Sequence, residues 1–130
     1  MFMKNRAFYV AATGQNVGKT TTCLGLVFGL KNRHQSIGYM KPVGQEHVTV
    51  EQEIRVDKDV VLFRSHFGLT DPYEEMSPVL FPRGFTRDYL DGKVSHKDLI
   101  EKINHSFQAI TSRYPVTVIE GPATREWVRL

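Results

Sequence analysis

Apolar residues along the chain form short runs that predict β-strands. These runs cover residues 7–12, 36–41 and 115–120, and they are rich in the β-branched or aromatic side chains typical of buried strands. Pro42 follows the second run and Gly121 follows the third, so these two strands are predicted to end with Lys41 and Glu120. Charged side chains at strand ends are candidates for a site at the edge of a sheet.

Between these runs, apolar residues recur at helical spacing. One helix is predicted over 19–32, a second over 57–66 with Gly68 as its C-cap, and a third after the N-cap Ser95. The polar segment 43–56 predicts a surface loop, and the prolines within 69–94 predict irregular structure. The order strand, helix, strand, helix, helix, strand predicts an α/β fold with a mostly parallel sheet and flanking helices.

The composition limits the class of protein. The chain has 130 residues, 17 Lys and Arg against 14 Asp and Glu, and a formal net charge of +3, which together describe one small domain. It contains no Lys/Arg block and no apolar stretch of about 20 residues, so neither nucleic-acid binding nor a membrane span is expected. The lone Cys23 and the lack of a recognisable signal peptide predict a cytoplasmic protein.

The segment 12–22, A-T-G-Q-N-V-G-K-T-T-T, joins the first predicted strand to the first predicted helix. Backbone amides and the dipole at a helix N-terminus attract anions, so this junction predicts a phosphate-binding loop. Lys19, the first predicted catalytic residue, would contact the β- and γ-phosphates, and the Thr20 hydroxyl would bind Mg²⁺. The predicted nucleotide-binding residues are Thr13, Gly14, Gln15, Asn16, Val17, Gly18, Lys19, Thr20 and Thr21.

This loop departs from the strict phosphate-loop pattern G-x-x-x-x-G-K-[ST]. Thr13 lies five residues before Gly18, at the position where the pattern has a glycine. The alternative interpretation is an ordinary turn between a strand and a helix that begins with Lys19. The predicted strand before the loop and the predicted helix after it favour the phosphate loop.

Two acidic residues join Thr20 as predicted metal ligands. Mg²⁺ takes oxygen ligands, commonly one or two carboxylates together with waters and phosphates. Glu120 ends the third predicted strand, so a parallel sheet would bring it to the crevice of the phosphate loop, and its alternative role is a capping or turn acid. Asp59 lies in the first turn of the second predicted helix, where it would bind the metal or complement the helix dipole.

Lys41 is the second predicted catalytic residue. It ends the second predicted strand and would face the same crevice as Glu120. A cation at this position would neutralise charge on a transferring phosphoryl group or hold an acidic substrate. The alternative interpretation is a solvated lysine at the end of a strand.

Several segments together resemble the dethiobiotin synthetase-like family, a branch of the P-loop NTPases. The family is related to the cobyrinic acid a,c-diamide synthases and to the N-terminal domain of some phosphotransacetylases. The resemblance extends over nearly the whole chain. The segments are A-T-G-Q-N-V-G-K-T at 12–20, K-P-V at 41–43, the helix with Asp59, D-P-Y and S-P-V within 71–79, and V-I-E-G at 118–121.

The resemblance implies an ATP- and Mg²⁺-dependent carbon–nitrogen ligase of biotin biosynthesis. Such enzymes carboxylate a diamino acid and then close a ureido ring through a carbamoyl-phosphate intermediate. The resemblance implies that residues 14–21 bind the ATP phosphates and that Lys41 contacts the carbamate and the γ-phosphate. It also implies that Thr20, Asp59 and Glu120 surround Mg²⁺.

Two departures from the family change what the resemblance implies. Gly44 and Gln45 follow K-P-V where the family has small residues and a serine that helps to hold the substrate, so the small-molecule substrate is unidentified. The segment 122–127 replaces a further glycine-rich segment, beyond which members of the family continue. We therefore expect residues 1–130 to form a single, partial P-loop nucleotide-binding domain that is incomplete at the C-terminus.

Two further interpretations stay open. The chain would alternatively be a nucleotide-binding regulatory module without turnover, similar to the phosphotransacetylase N-terminal domain. Two copies would pair as a homodimer if they covered the open sheet edge expected after Glu120, because exposed strand edges invite pairing. The expected partners are a nucleotide and a small-molecule substrate.

Overall fold

The sheet at the centre of the fold is parallel. The computed structural model describes residues 5–10, 19–33, 36–44, 47–50, 54–80 and 95–121. Strands β1 (Arg6–Val10), β2 (Ile37–Met40) and β7 (Val116–Glu120) form one sheet in the order β1-β7-β2. Every residue of β2 and β7 is buried, as expected for parallel strands covered on both faces. The predicted α/β fold with a mostly parallel sheet is confirmed.

The three predicted helices are present within the described residues, and a short fourth one lies between the second and third. Helices α1 (Lys19–Lys31), α2 (Lys58–Phe67) and α4 (His96–Arg113) each contact β2, and α1 and α4 also contact β7. None of the helices in the described ranges has both the length and the apolar character that a membrane crossing requires. The short helix is α3 (Tyr73–Met76).

Helix α2 is capped at both ends. Asp57 is its N-cap, and the Asp57 side chain accepts a hydrogen bond from the Asp59 N–H at 2.9 Å. Gly68 ends the helix with a φ of 63°, in the left-handed region that glycine adopts without strain, so the predicted C-cap is confirmed. The N-cap places Asp59 in the first turn of α2.

The prediction of a surface loop over 43–56 is wrong. This segment contains β3 (Val43–Gly44), β4 (His47–Val50) and most of β5 (Ile54–Asp57), and β4 pairs with β5 in an antiparallel hairpin. The V-T-V and I-R-V patterns favour strands, because β-branched residues fit a pleated surface. Glu51 and Glu53, which contribute to the polar character of the segment, lie between β4 and β5, outside the described residues.

The prediction of irregular structure over 69–94 is wrong for residues 73–76 and 79–80. Helix α3 lies there, and β6 (Val79–Leu80) pairs in parallel with β3. Residues 81–94 lie outside the described residues. The Lys41 N–H donates to the Met76 carbonyl at 2.8 Å, and the Val79 N–H donates to the Pro42 carbonyl at 3.2 Å. The segment from α3 to β6 therefore holds the backbone that follows β2.

An aromatic stack joins β2 to α2. Tyr39 of β2 and Phe63 of α2 are fully buried, and their ring centroids lie 3.7 Å apart with the ring planes 1° from parallel. Cys23 of α1 is buried in the same cluster as a small core residue. This part of the core therefore packs α1, α2 and the sheet together.

Strand β7 is the middle strand of the sheet, so the strand that ends at Glu120 is not an edge. It pairs with β1 on one side and with β2 on the other. Among the described strands, β1 has β7 as its single neighbour, and its Phe8 and Tyr9 side chains are 42% and 58% exposed. Strand β2 is the other edge of the described sheet, but its residues are buried, and the pairing of two copies stays a prediction.

Gly38 lies where β2 packs closely against Tyr114 and β7. A Cβ atom at Gly38 would lie 2.6 Å from Tyr114 Cδ2 and 2.9 Å from Thr117 Oγ1, both shorter than van der Waals contact. Overpacking a core commonly costs about 1–3 kcal/mol, so Gly38→Ala should lower the free energy of unfolding by about that amount. Urea denaturation of the wild type and the variant measures the change.

Gly25→Ala is the matched control. Gly25 lies on the exposed side of α1, and a Cβ atom there would meet nothing within 4 Å. Alanine favours a helix over glycine by about 1 kcal/mol, so this variant should be more stable than the wild type. Equal losses of stability in the two variants would contradict the packing described at Gly38.

Candidate active site

The carboxyl ends of the parallel strands bring two of the predicted site residues together. Val10 is paired with Glu120 in the sheet register. Lys41 directly follows Met40, which is paired with Ile119. The Lys41 Nζ atom lies 3.2 Å from Glu120 Oε2. An ion pair therefore lies at the carboxyl ends of the parallel strands, where α/β proteins bind their ligands.

Lys41 is surrounded by three carboxylates, those of Asp57, Asp59 and Glu120. Its Nζ atom lies 2.6 Å from Asp59 Oδ2 and 3.4 Å from Asp57 Oδ2, in addition to the contact with Glu120. All four side chains are buried. Charges removed from water are tolerated when they are paired, and here one ammonium group offsets several negative groups that would repel one another.

Asp57 is a member of this cluster that is not among the residues predicted from the sequence. It ends β5 and caps α2 through Oδ1, and its Oδ2 atom lies in ion-pair range of Lys41. The available signal is an acid that directly follows the strand pattern I-R-V, just as Glu120 follows V-T-V-I. The prediction of a loop over 43–56 conceals this signal.

Thr20 links the carboxylate cluster to the start of helix α1. Its hydroxyl donates a hydrogen bond to Asp59 Oδ2 at 3.2 Å. Thr20 is the second residue of α1, and Asp59 lies in the first turn of α2. The cluster therefore lies beside a helix N-terminus, where backbone N–H groups and the helix dipole favour a phosphate group.

Most of the predicted phosphate loop lies outside the described residues. For Lys19 the structure describes the backbone, which begins α1, and leaves the side chain undescribed. Thr21 is exposed in the first turn of α1. The phosphate-binding roles of all these residues stay predictions. The loop residues outside the described ranges are Thr13, Gly14, Gln15, Asn16, Val17 and Gly18.

Burial and charge act against each other on the pKa values of the cluster. Burial lowers the pKa of Lys41, but the surrounding carboxylates outweigh this effect and raise it above its ordinary value. Burial raises the pKa of Asp57 and of Glu120. Burial acts in the same direction on Asp59, but the hydrogen bond and charge of Lys41 lower its pKa. Lys41 therefore keeps its proton at neutral pH, and Asp59 keeps its negative charge.

The side chains of the cluster fit Mg²⁺. Thr20 supplies a hydroxyl, and Asp59 and Glu120 supply carboxylates, the hard oxygen ligands that Mg²⁺ prefers. Glu120 Oε1 is buried and has no hydrogen-bond partner among the described residues, so its lone pairs are available to a ligand. No group of three or more His, Cys, Asp or Glu within the described ranges is arranged to hold a metal by itself. These donors suit a metal shared with a nucleotide phosphate.

A parallel sheet with flanking helices, whose charged strand ends lie beside a helix N-terminus, is the type of fold found in proteins of the P-loop class. A family model described as an AAA domain matches residues 6–125. The chain therefore belongs to this AAA domain family, within the dethiobiotin synthetase-like branch of P-loop proteins. The resemblance stated from the sequence is confirmed.

Curated proteins of two kinds are similar to this chain. The ATP-dependent dethiobiotin synthetase BioD of Methanococcus vannielii is 28% identical over 114 residues, which cover 87% of this chain and 49% of that protein. BioD of Xanthomonas euvesicatoria is 28% identical over 120 residues, or 92% of this chain and 53% of that protein. The phosphate acetyltransferase of Nitrosomonas europaea is 32% identical over 114 residues, or 88% of this chain and 15% of that protein. The chain spans about half the length of these dethiobiotin synthetases.

Removal of Lys41 should leave three buried carboxylates without their positive partner. Removing one partner of a buried ion pair costs about 3–5 kcal/mol, so Lys41→Met should lower the free energy of unfolding at neutral pH by roughly 3 kcal/mol. The loss of stability should shrink as the pH falls toward the ordinary carboxyl pKa values, which are 3.8 for Asp and 4.5 for Glu. Burial raises the pKa of Asp57 and Glu120 in the folded state, so protonation favours folding. Urea denaturation at neutral and acidic pH measures both effects.

Lys97→Met is the control for the loss of a lysine. Lys97 and Glu101 form a pair at 4.0 Å whose side chains are 84% and 64% exposed. Surface pairs on a helix contribute about 0.5 kcal/mol or less, so this variant should unfold nearly as the wild type does. A loss for Lys41→Met no larger than that of the control, or one that grows in acid, would contradict the buried cluster.

Proposed function

We propose that the chain is the nucleotide-binding part of an ATP- and Mg²⁺-dependent carbon–nitrogen ligase of the dethiobiotin synthetase type. One observation carries the proposal: the Lys41 ammonium, two carboxylates and the Thr20 hydroxyl meet beside the N-terminus of α1. Lys41 Nζ lies 2.6 Å from Asp59 Oδ2 and 3.2 Å from Glu120 Oε2, and the Thr20 hydroxyl lies 3.2 Å from Asp59 Oδ2. A fixed cation and metal-type oxygen ligands beside a helix dipole suit the phosphates of a nucleotide. The similarity to dethiobiotin synthetases supports the proposed reaction class.

The proposed reaction activates a carboxylate or a carbamate by phosphoryl transfer. An oxygen of this group attacks the γ-phosphorus of ATP, the bond from that phosphorus to the ADP oxygen breaks, and a mixed anhydride forms. An amine nitrogen then attacks the carbonyl carbon and forms the carbon–nitrogen bond. The phosphate leaves with the electron pair of the carbon–oxygen bond, and the amine loses a proton.

Lys41 would bind the transferring phosphoryl group and the anionic substrate. The surrounding carboxylates raise the pKa of Lys41 despite its burial, so the ammonium is present at neutral pH. A fixed positive charge in a site that excludes water stabilises the negative charge on phosphoryl oxygens. Lys19 would supply a second positive charge to the β- and γ-phosphates.

Asp59, Glu120 and the Thr20 hydroxyl would hold Mg²⁺. When bound, the ion would neutralise charge on the phosphate oxygens. The chain contributes the orientation of these ligands: the N-cap of α2 positions the Asp59 backbone, and the end of β7 carries Glu120. Thr20 holds the Asp59 carboxylate toward α1 through its hydrogen bond.

A second candidate function is a nucleotide-binding regulatory module without turnover. The similarity to a phosphate acetyltransferase favours this candidate, because the matched part is 15% of that protein and covers 88% of this chain. A match of that kind is typical of a module within a longer protein. A regulatory module would need the phosphate loop and would not need Lys41 to contact a second substrate.

Nucleotide binding is tested by calorimetric titration with MgATP. A charge-assisted hydrogen bond contributes about 1.5–3 kcal/mol, and each 1.4 kcal/mol is a factor of ten in Kd. Lys19→Ala should therefore weaken MgATP binding by at least about tenfold, whereas Lys97→Met, on the exposed face of α4, should bind as the wild type does. Unchanged affinity in Lys19→Ala would refute the phosphate loop.

Turnover distinguishes the two candidate functions. The chain is incubated with MgATP, bicarbonate and a panel of diamino acids, and phosphate release is measured. The ligase proposal expects release that depends on a diamino acid and falls about 100-fold in Lys41→Arg, because the longer side chain keeps the positive charge and misplaces it. Tight nucleotide binding with no phosphate release for any diamino acid would favour the regulatory module.

A further inference from the structure

The Asp57 carboxylate is more enclosed than that of Asp59 and as deeply buried as that of Glu120. It is completely buried, and its Oδ1 atom is held by the Asp59 N–H at 2.9 Å. A Cβ atom at Gly44 would lie 2.7 Å from Asp57 Oδ2, and 2.9 Å from Leu80 Cδ2, so the backbone of β3 closes the space beside the carboxylate. Asp57 is therefore fixed in place by the fold.

Asp59 and Glu120 lie nearer to the predicted nucleotide site. Asp59 accepts a hydrogen bond from Thr20 at the start of α1. Glu120 is paired with Val10, the last residue of the strand that precedes the phosphate loop. The described polar contacts of the Asp57 side chain, by contrast, are with the Asp59 backbone and with Lys41.

The net charge of the cluster matches that of one divalent cation with the opposite sign. Three carboxylates and one ammonium group carry a formal excess of two negative charges. A divalent cation on Asp59 and Glu120 would cancel this excess, and it would repel the Lys41 ammonium from those two carboxylates. Asp57 Oδ2 would then be the remaining carboxylate oxygen for Lys41: it lies 3.4 Å from Nζ and makes no hydrogen bond within the described residues.

We propose that Asp57 is a positioning residue that keeps the Lys41 ammonium in the site when Asp59 and Glu120 bind a divalent cation. The inference rests on the proposed function for the presence of the cation. Without Asp57, Lys41 would have no carboxylate of its own and would leave the cluster as the cation arrives. Gly44 contributes to the same positioning of Lys41, because any side chain at residue 44 would displace the Asp57 carboxylate.

The test follows the ammonium signal of Lys41 by ¹H–¹⁵N NMR of the ¹⁵N-labelled chain. Buried, ion-paired ammonium groups exchange their protons slowly, and the Lys41 signal is assigned by its loss in Lys41→Arg. Asp59→Asn combined with Glu120→Gln removes the two competing charges with near-isosteric amides and needs neither metal nor nucleotide. We expect the Lys41 signal to persist in this double variant, held by Asp57, and to disappear when Asp57→Asn is added.

Asparagine at position 57 can still accept the hydrogen bond from Asp59 N–H, so the cap of α2 is kept. Backbone amide spectra show whether each variant is folded. Gly44→Ala in the double variant is an independent route to the same result, because it displaces the Asp57 carboxylate while leaving the residue in place. Gly25→Ala, whose Cβ atom would meet nothing within 4 Å, is the matched control and should leave the signal unchanged.

Loss of the Lys41 signal already in the double variant would overturn the inference, as would its persistence after Asp57→Asn or Gly44→Ala in a folded protein. A separate measurement adds MgATP to the wild type and to Asp57→Asn. The inference expects the signal to survive MgATP in the wild type and to disappear in the variant. Absence of MgATP binding to the wild type by calorimetry would refute the proposed function alone, because the variant series contains no nucleotide.

Discussion

The attraction between the Lys41 ammonium and three buried carboxylates holds together parts of the chain that are far apart in sequence. Lys41 follows β2, Asp57 and Asp59 lie at the junction of β5 and α2, and Glu120 ends β7. Burying a charged group without an opposite charge nearby is costly, so these elements are held where all three carboxylates contact the Lys41 ammonium. The Thr20 hydrogen bond to Asp59 extends the same constraint to α1.

The apolar core packs next to this cluster and fixes the elements that carry it. Tyr39, two residues before Lys41, is stacked on Phe63, four residues after Asp59. This stack fixes β2 relative to α2 through packing, which does not depend on charge or on salt. The ion cluster therefore forms on elements whose relative position is already set, and its geometry requires little ordering of flexible side chains.

Local signals in the sequence predict much of the fold. The β-branched run of β7, the helical stripe of α4 and the glycine C-cap of α2 are recognisable because each depends on neighbouring residues. The order of the strands is not recognisable in this way, because periodicity carries no information on which strands are neighbours. The β4–β5 hairpin is missed because its strands are short and flanked by polar residues.

The candidate site shows the same contrast between features with a local sequence signal and features that depend on long-range contacts. Lys41, Asp59 and Glu120 are found from the sequence because strand ends and helix starts in a parallel fold meet at one edge. Asp57 is missed because its importance comes from contacts across the fold, with Lys41 and with the backbone at Gly44. Gly44 is seen from the sequence only as a departure from the family pattern, and its close approach to Asp57 supplies the physical reason for a glycine there.

The central position of β7 has a consequence for the order of folding. Strands β1 and β2 precede β7 in the chain, yet within the sheet each is paired with β7 and not with the other. During synthesis, both must wait for residues 116–120 before their backbone hydrogen bonds can form. The loop closures required are long, and contacts of this kind slow folding. Because Glu120 is the last residue of β7, the β1–β7–β2 pairing and the charge cluster form in the same step.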